Sequence, residues 1–132
     1  MGDLSQIIAE LDSRPPASDA AIAECETQLG LRLPSEYKQF HRLTDGAEGF
    51  VRLWAVGELA QFNERYEVQR NAPGLLLFGS DGCGDAFGFD TRSSPWAIVQ
   101  VPFVGMEWAV ARPLGTSFYA FLRELHRRES EQ

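Results

Sequence analysis

Along the first third of the chain, apolar residues recur at the spacing of one helix face. Leu4, Ile7, Ile8 and Leu11 form such a stripe, with Asp3 and Gln6 placed as a capping-box pair. This helix must stop ahead of Pro15-Pro16, because proline disfavours the helical conformation in the residue before it. Ser18 or Asp19 then caps a second helix whose buried stripe is Ile22, Cys25 and Leu29, and Gly30 can end it in a left-handed cap. Leu33-Pro34-Ser35-Glu36 opens a third, with Pro34 in the first turn, where its missing amide costs nothing. Tyr37, Phe40 and Leu43 make its apolar stripe, His41 lies beside Phe40, and Asp45-Gly46 closes the helix.

From Gly49 the period changes to two, through Phe50-Val51-Arg52-Leu53-Trp54, which suits a strand. A short helix follows, with Leu59, Phe62 and Tyr66 on one face and Glu58, Glu64 and Glu67 turned to solvent. After the breaker Asn71-Ala72-Pro73-Gly74 come four apolar or alternating runs, at 75–79, 86–90, 96–104 and 106–112, which read as an antiparallel meander. In the last run Met106, Trp108 and Val110 share a face. Thr116 or Ser117 caps a final helix through Phe118, Phe121, Leu122 and Leu125, before the polar tail 127–132. The order predicts an α+β fold: amino-terminal helices on a central antiparallel sheet of about five strands, with a closing carboxy-terminal helix.

A length of 132 residues fits a single domain, spanning 1–132, and excludes a two-domain enzyme. A formal charge of -7 repels phosphate backbones and anionic lipid, so nucleic acid and membrane surfaces are poor partners, whereas a basic protein would be steered in. No run approaches the length of a membrane span and no signal-peptide pattern opens the chain, so the expected location is the cytoplasm. Cys25 and Cys83 lack metal-knuckle spacing and are expected to be reduced thiols.

The densest constellation is the glycine-rich turn from Phe78 to Asp90. It lacks the Lys-Ser/Thr of a phosphate-binding loop. It also misplaces three residues of a calcium loop, with Cys83, Ala86 and Arg92 where a ligand, the sharp-turn glycine and the bidentate Glu belong. It reads instead as a hairpin in which Gly82 and Gly84 supply positive φ and Asp side chains bond the turn backbone. Asp81 and Asp85 oppose ionisation of Cys83, which argues against a nucleophilic thiol paired with His41 or His126. No hydrolase elbow, zinc-binding His-Glu-x-x-His or spaced carboxylate pair announces hydrolysis, which leaves only a carboxylate pair scattered along the chain; catalytic residues, metal and cofactor are all expected to be none. Of the rings Trp54, Phe87, Phe89, Trp96, Phe103 and Trp108, most suit a sheet core, and any left exposed would serve a partner interface.

The pattern Glu24-x-x-x-x-Leu29-Gly30-Leu31-x-Leu33-Pro34-x-x-Tyr37-x-x-Phe40, closed by Asp45-Gly46, resembles the amino-terminal signature of the SMI1/KNR4 (SUKH) superfamily. Phe78-Gly79-Ser80-Asp81-Gly82-x-Gly84-Asp85 with Phe87-x-Phe89-Asp90 is similar to its strand-turn-strand element, and Ser117-Phe118-x-x-Phe121-Leu122 to its closing helix. The resemblance covers about residue 18 to residue 125. Asp45 stands where the family often has Asn, a change both residues tolerate in a turn. The resemblance implies an α+β binding protein without catalytic residues, often an immunity protein that neutralises a toxin domain of a bacterial polymorphic toxin system. The acidity suits a basic nuclease or deaminase toxin. Trp54, Glu58, Glu64, Asp81, Asp85 and Glu107 are the expected contact residues, with Glu48 and Glu67 as further carboxylates. The alternatives are a regulatory or scaffolding module for a peptide or small ligand, and an enzyme centred on Cys83 and a histidine.

Overall fold

Capping signals act where the sequence places them. Ser18 accepts a hydrogen bond from the Ala21 amide at 3.1 Å, and Gly30 closes the same helix with φ +69°. Ser117 does likewise for the last helix through the Ala120 amide, at 3.2 Å. The computed structural model describes residues 2–131, with side chains described from residue 5 onward, so the expected Asp3 cap and Leu4 contact lie outside the described side chains.

The described elements run α1 (Gly2–Ala9), β1 (Asp12–Ser13), α2 (Asp19–Leu29), α3 (Ser35–Leu43), β2 (Ala47–Glu48), β3 (Arg52–Leu53), α4 (Leu59–Arg65), α5 (Val68–Asn71), β4 (Leu75–Ser80), β5 (Asp85–Asp90), β6 (Ala97–Pro102), β7 (Arg112–Pro113) and α6 (Phe118–Ser130). The strands form one antiparallel meander in the order β1 to β7. The fold is α+β, as expected, but its sheet has seven strands rather than about five. The additional ones are two-residue pairings, too short to leave a periodic trace in the sequence.

All six residues of β4 are buried, because both faces of the sheet are covered. Leu76 and Phe78 join Phe87, Phe89 and Ile98 under α2, α3 and α6. Leu75 and Leu77 point the other way, onto Val68 and Ala72 of the α5 region and onto Met106. Tyr37 is the hub of the first core, with its ring 5.1 Å from Phe118, 5.3 Å from Phe89 and 5.7 Å from Phe78.

Three local expectations are corrected. The run 50–54 contributes only Arg52–Leu53 to the sheet, since 49–51 are the turn of a hairpin that pairs Ala47 with Leu53 and Glu48 with Arg52. The run 106–112 is not a strand; it carries a 3-10 turn at Trp108–Val110, and only Arg112–Pro113 pairs with β6. Burial is satisfied there by another route, in which Met106 packs on the second face while the Trp108 indole donates to the Pro73 carbonyl at 2.8 Å beneath the Arg92 guanidinium. Leu43 is 54% exposed, and His41, one turn beyond Tyr37, takes the buried place on α3 instead. Its polar ring escaped an apolar-stripe reading because its cost is offset by a partner, Asp45.

Candidate functional site

Helix α4 is a ridge between two hollows. Leu59 and Asn63 turn inward, rather than the Leu59, Phe62 and Tyr66 face that spacing suggested, which leaves Phe62 and Tyr66 on one flank and Ala60 and Glu64 on the other. On the first flank four rings run in sequence. Trp54 lies 4.6 Å from Phe62 and 6.3 Å from Tyr66, and Tyr66 lies 4.7 Å from Phe103. They line an open cleft of about 420 Å³, in which Tyr66 remains 37% exposed.

The glycine-rich hairpin forms the opposite wall. One Asp81 carboxylate oxygen accepts from the Cys83 amide at 2.7 Å and the Asp85 amide at 3.1 Å, fixing the turn between β4 and β5. Gly82 and Gly84 take φ +75° and +109°, as the sequence predicted, and present bare backbone to the cleft. Ser80, at the end of β4, lines the cleft with only 8% of its surface exposed and makes no side-chain hydrogen bond to protein among the described residues.

The rim is charged. Arg14 bridges Glu58 at 3.4 Å and Glu48 at 3.6 Å, and Glu58 also accepts from the Ala55 amide. Arg52, laid along Gly82, makes neither an ion pair nor a side-chain hydrogen bond among the described residues. Arg65 stands 5.1 Å over the Phe62 ring.

Of the expected contact residues, the structure thus gathers Trp54, Glu58 and the loop held by Asp81 and Asp85 around one cleft. Glu58 and Asp81 commit oxygens to the protein itself, and Asp85 accepts from the Gln100 side chain at 2.9 Å. Glu64 opens onto the hollow on the other flank of α4, about 680 Å³, where the Asn63 and Gln69 carboxamides bind backbone of β4 and its approach. Glu107 is exposed on the segment covering the second core and lines neither hollow. Phe103 was expected at an interface only as one of six rings that would serve there if exposed; Arg14, Arg52, Phe62, Tyr66 and Ser80 were not singled out as contacts. Phe62 and Tyr66 carried the only signal, an i, i+4 aromatic pair that reads equally well as a buried face.

Asp45, His41, Tyr37 and Cys25 form a buried cluster elsewhere. The fully buried His41 ring donates through Nδ1 to Asp45 at 2.8 Å, and the Val56 amide donates to the same oxygen at 2.9 Å. Burial alone would raise the Asp45 carboxyl, but these hydrogen bonds, with the charges of His41 and Arg14, hold it below the usual carboxylate value. The positive φ at this turn belongs to Gly46, so the role of Asp45 is to bond His41 and Val56 rather than to adopt a tolerated turn conformation. Burial, with Glu26 and Asp45 nearby, pushes the Cys25 thiol up to about 11, which leaves it protonated and unreactive. No hydrogen bond links Cys83 to either histidine among the described residues; His126 faces Glu10 instead.

Among the described residues no group of three or more His, Cys, Asp or Glu is placed to hold a metal ion, and no helix is long and apolar enough to cross a membrane. No curated protein matches the chain. The sequence profile of the SMI1 / KNR4 family (SUKH-1) matches residues 16–124. That match holds all three motifs and both walls of the cleft, and the chain belongs to the SMI1 / KNR4 family (SUKH-1).

Proposed function

We propose that this protein is an immunity protein, a non-enzymatic binder that neutralises a bacterial toxin domain by direct contact along the α4 cleft. The observation that carries the reading is the row Trp54, Phe62, Tyr66 and Phe103 beside Arg52, which makes no ion pair or side-chain hydrogen bond among the described residues. Tryptophan, tyrosine and arginine are the residues that dominate binding energy in protein interfaces. Family membership favours a toxin as the partner, and the charge of -7 favours a basic one, such as a nuclease or deaminase. Glu64 and Glu107, which make no ion pair among the described residues, supply long-range attraction, while the cleft supplies short-range contact.

The test is growth of bacterial cells expressing a basic nuclease or deaminase toxin domain taken from a gene neighbouring that of this chain, with and without the chain. Protection by the natural protein, and its loss with Tyr66→Ala and Trp54→Ala variants that stay folded, supports the reading. Protection unaffected by both variants removes the cleft as the contact, and absence of any protection removes the toxin.

A further inference from the structure

The hollow on the other flank of α4, about 680 Å³, differs in chemistry from the aromatic cleft. Its walls are Leu29 and Leu31 around the end of α2, Ala60 and Val68 on α4 and α5, and Leu75 and Leu76 at the start of β4, so it reaches down to where the two cores meet. Much of its polar lining is already engaged. Asn63 bonds Leu59 and Leu77, Gln69 bonds Gly74 and Leu75, and the Thr91 hydroxyl donates to the Gly74 carbonyl at 2.6 Å. Three charged side chains line the hollow, the carboxylates Glu64 and Glu67 and the guanidinium of Arg70, and they sum to -1. Arg70 donates to Glu67 at 3.3 Å, whereas Glu64 makes neither an ion pair nor a side-chain hydrogen bond among the described residues. One uncompensated carboxylate repels an anion and gives a neutral occupant no charge to meet. A long aliphatic stem that ends in a cation satisfies both the apolar walls and the carboxylate.

Resting on the toxin-binding reading above, we infer that this hollow takes one lysine or arginine side chain of the basic toxin domain. Leu29, Leu31 and Ala60 cover the aliphatic stem, and Glu64 pairs with the charged head. The toxin then straddles α4, with the aromatic row on one flank and the basic side chain on the other. Glu64 thereby gains a short-range part beside its long-range one, and two separated anchors fix the register of the complex.

The experiment is amide chemical-shift titration of the full chain at low salt with four probes: acetyl-lysine-amide, acetyl-arginine-amide, acetyl-norleucine-amide and guanidinium chloride. The lysine and arginine amides should perturb Leu29, Leu31, Ala60 and Glu64, and bind about fivefold more tightly than the norleucine amide. Glu64→Gln should level the basic amides with norleucine. Glu129→Gln removes the same charge from an exposed site on α6 that lines neither hollow, and should leave all affinities unchanged. Equal binding of norleucine, perturbation elsewhere, or no perturbation overturns the inference. So does an equal response to guanidinium alone, which would leave the apolar walls without a part, or an equal loss in Glu129→Gln, which would reduce the effect to overall acidity. The growth assay separates this from the function itself. If the probes are not distinguished yet Tyr66→Ala still abolishes protection, toxin binding stands and the basic side chain falls. If they are distinguished but protection is indifferent to Glu64→Lys, the toxin is overturned as the source of the side chain.

Discussion

Asn63 pairs with Leu77 as a neighbouring strand would. Its side-chain oxygen accepts from the Leu77 amide at 2.8 Å, and its side-chain nitrogen donates to the Leu77 carbonyl at 2.9 Å and to the Leu59 carbonyl one turn back at 2.8 Å. Strand β3 pairs with β4 only opposite Ser80 and Gly79, so a helix side chain satisfies backbone that no strand reaches. Asn63→Asp replaces the donor with an oxygen facing two carbonyls and should lower stability by about 2 kcal/mol or more; Asn63→Leu orphans the same groups at comparable cost. Urea unfolding measures both, and an unchanged midpoint in the Asp variant would refute the pairing.

Glu36 ties α3 to the start of α6. One carboxylate oxygen accepts from the Ser117 hydroxyl at 3.0 Å and the Phe118 amide at 2.9 Å, where the helix dipole also favours negative charge. Glu36→Ala should cost about 1 to 2 kcal/mol, with Glu36→Gln between it and the natural protein. Hydrogen exchange at the first turn of α6 should rise in the same order.

The Asp45 carboxyl titrates below its ordinary value in the folded chain, so its ionised form is the one the fold prefers. The stability it contributes is therefore fully present above about pH 4 and is lost as pH falls through its lowered folded value. In Asp45→Asn that contribution is missing at neutral pH, at a cost of about 1 to 3 kcal/mol. Denaturation followed from neutral to acid should show the two proteins converging as pH drops, and parallel curves would contradict the assignment.

Gly82→Ala and Gly84→Ala place side chains at positive φ, where open space at Gly84 and ordinary contact with the Arg52 side chain at Gly82 avoid steric clash but not backbone strain, so each should lower stability by about 1 kcal/mol. Cys83→Ser between them should leave both the fold and toxin protection intact. Unchanged melting of both glycine variants with loss of binding would make the loop itself a contact; loss of protection in a folded Cys83→Ser variant would restore a chemical role for the thiol.

Reversing Glu64 and Glu107 to Lys should slow association with a basic toxin domain and flatten its salt dependence, with stability nearly unchanged because exposed single charges contribute little. Stopped-flow association at low and high salt reads this. A rate indifferent to both reversals and to salt would remove the electrostatic account.

Local signals in the chain settled much of this protein: the Ser18 and Ser117 caps, the Gly30 stop, the left-handed Gly82 and Gly84, and the long strands of the meander. In each case the physics acts within a few residues, through φ preference, a cap reaching the third amide, or alternation between two buried faces. Leu-Pro-x-x-Tyr placed Tyr37 in the core by the same logic. Tertiary structure alone decided the rest. Spacing cannot tell that Asn63 rather than Phe62 turns inward, because the reason is the unpaired backbone of Leu77, fourteen residues away in sequence. It cannot tell that Met106 to Val110 crosses a sheet face, since alternation looks the same in an edge strand and in a covering segment. Nor can it separate Arg14, which meets Glu48 and Glu58, from Arg52, which meets no carboxylate among the described residues. Ion pairing between residues far apart in sequence exists only once the chain is folded, and that pairing decides which arginine on the rim of the cleft is already engaged.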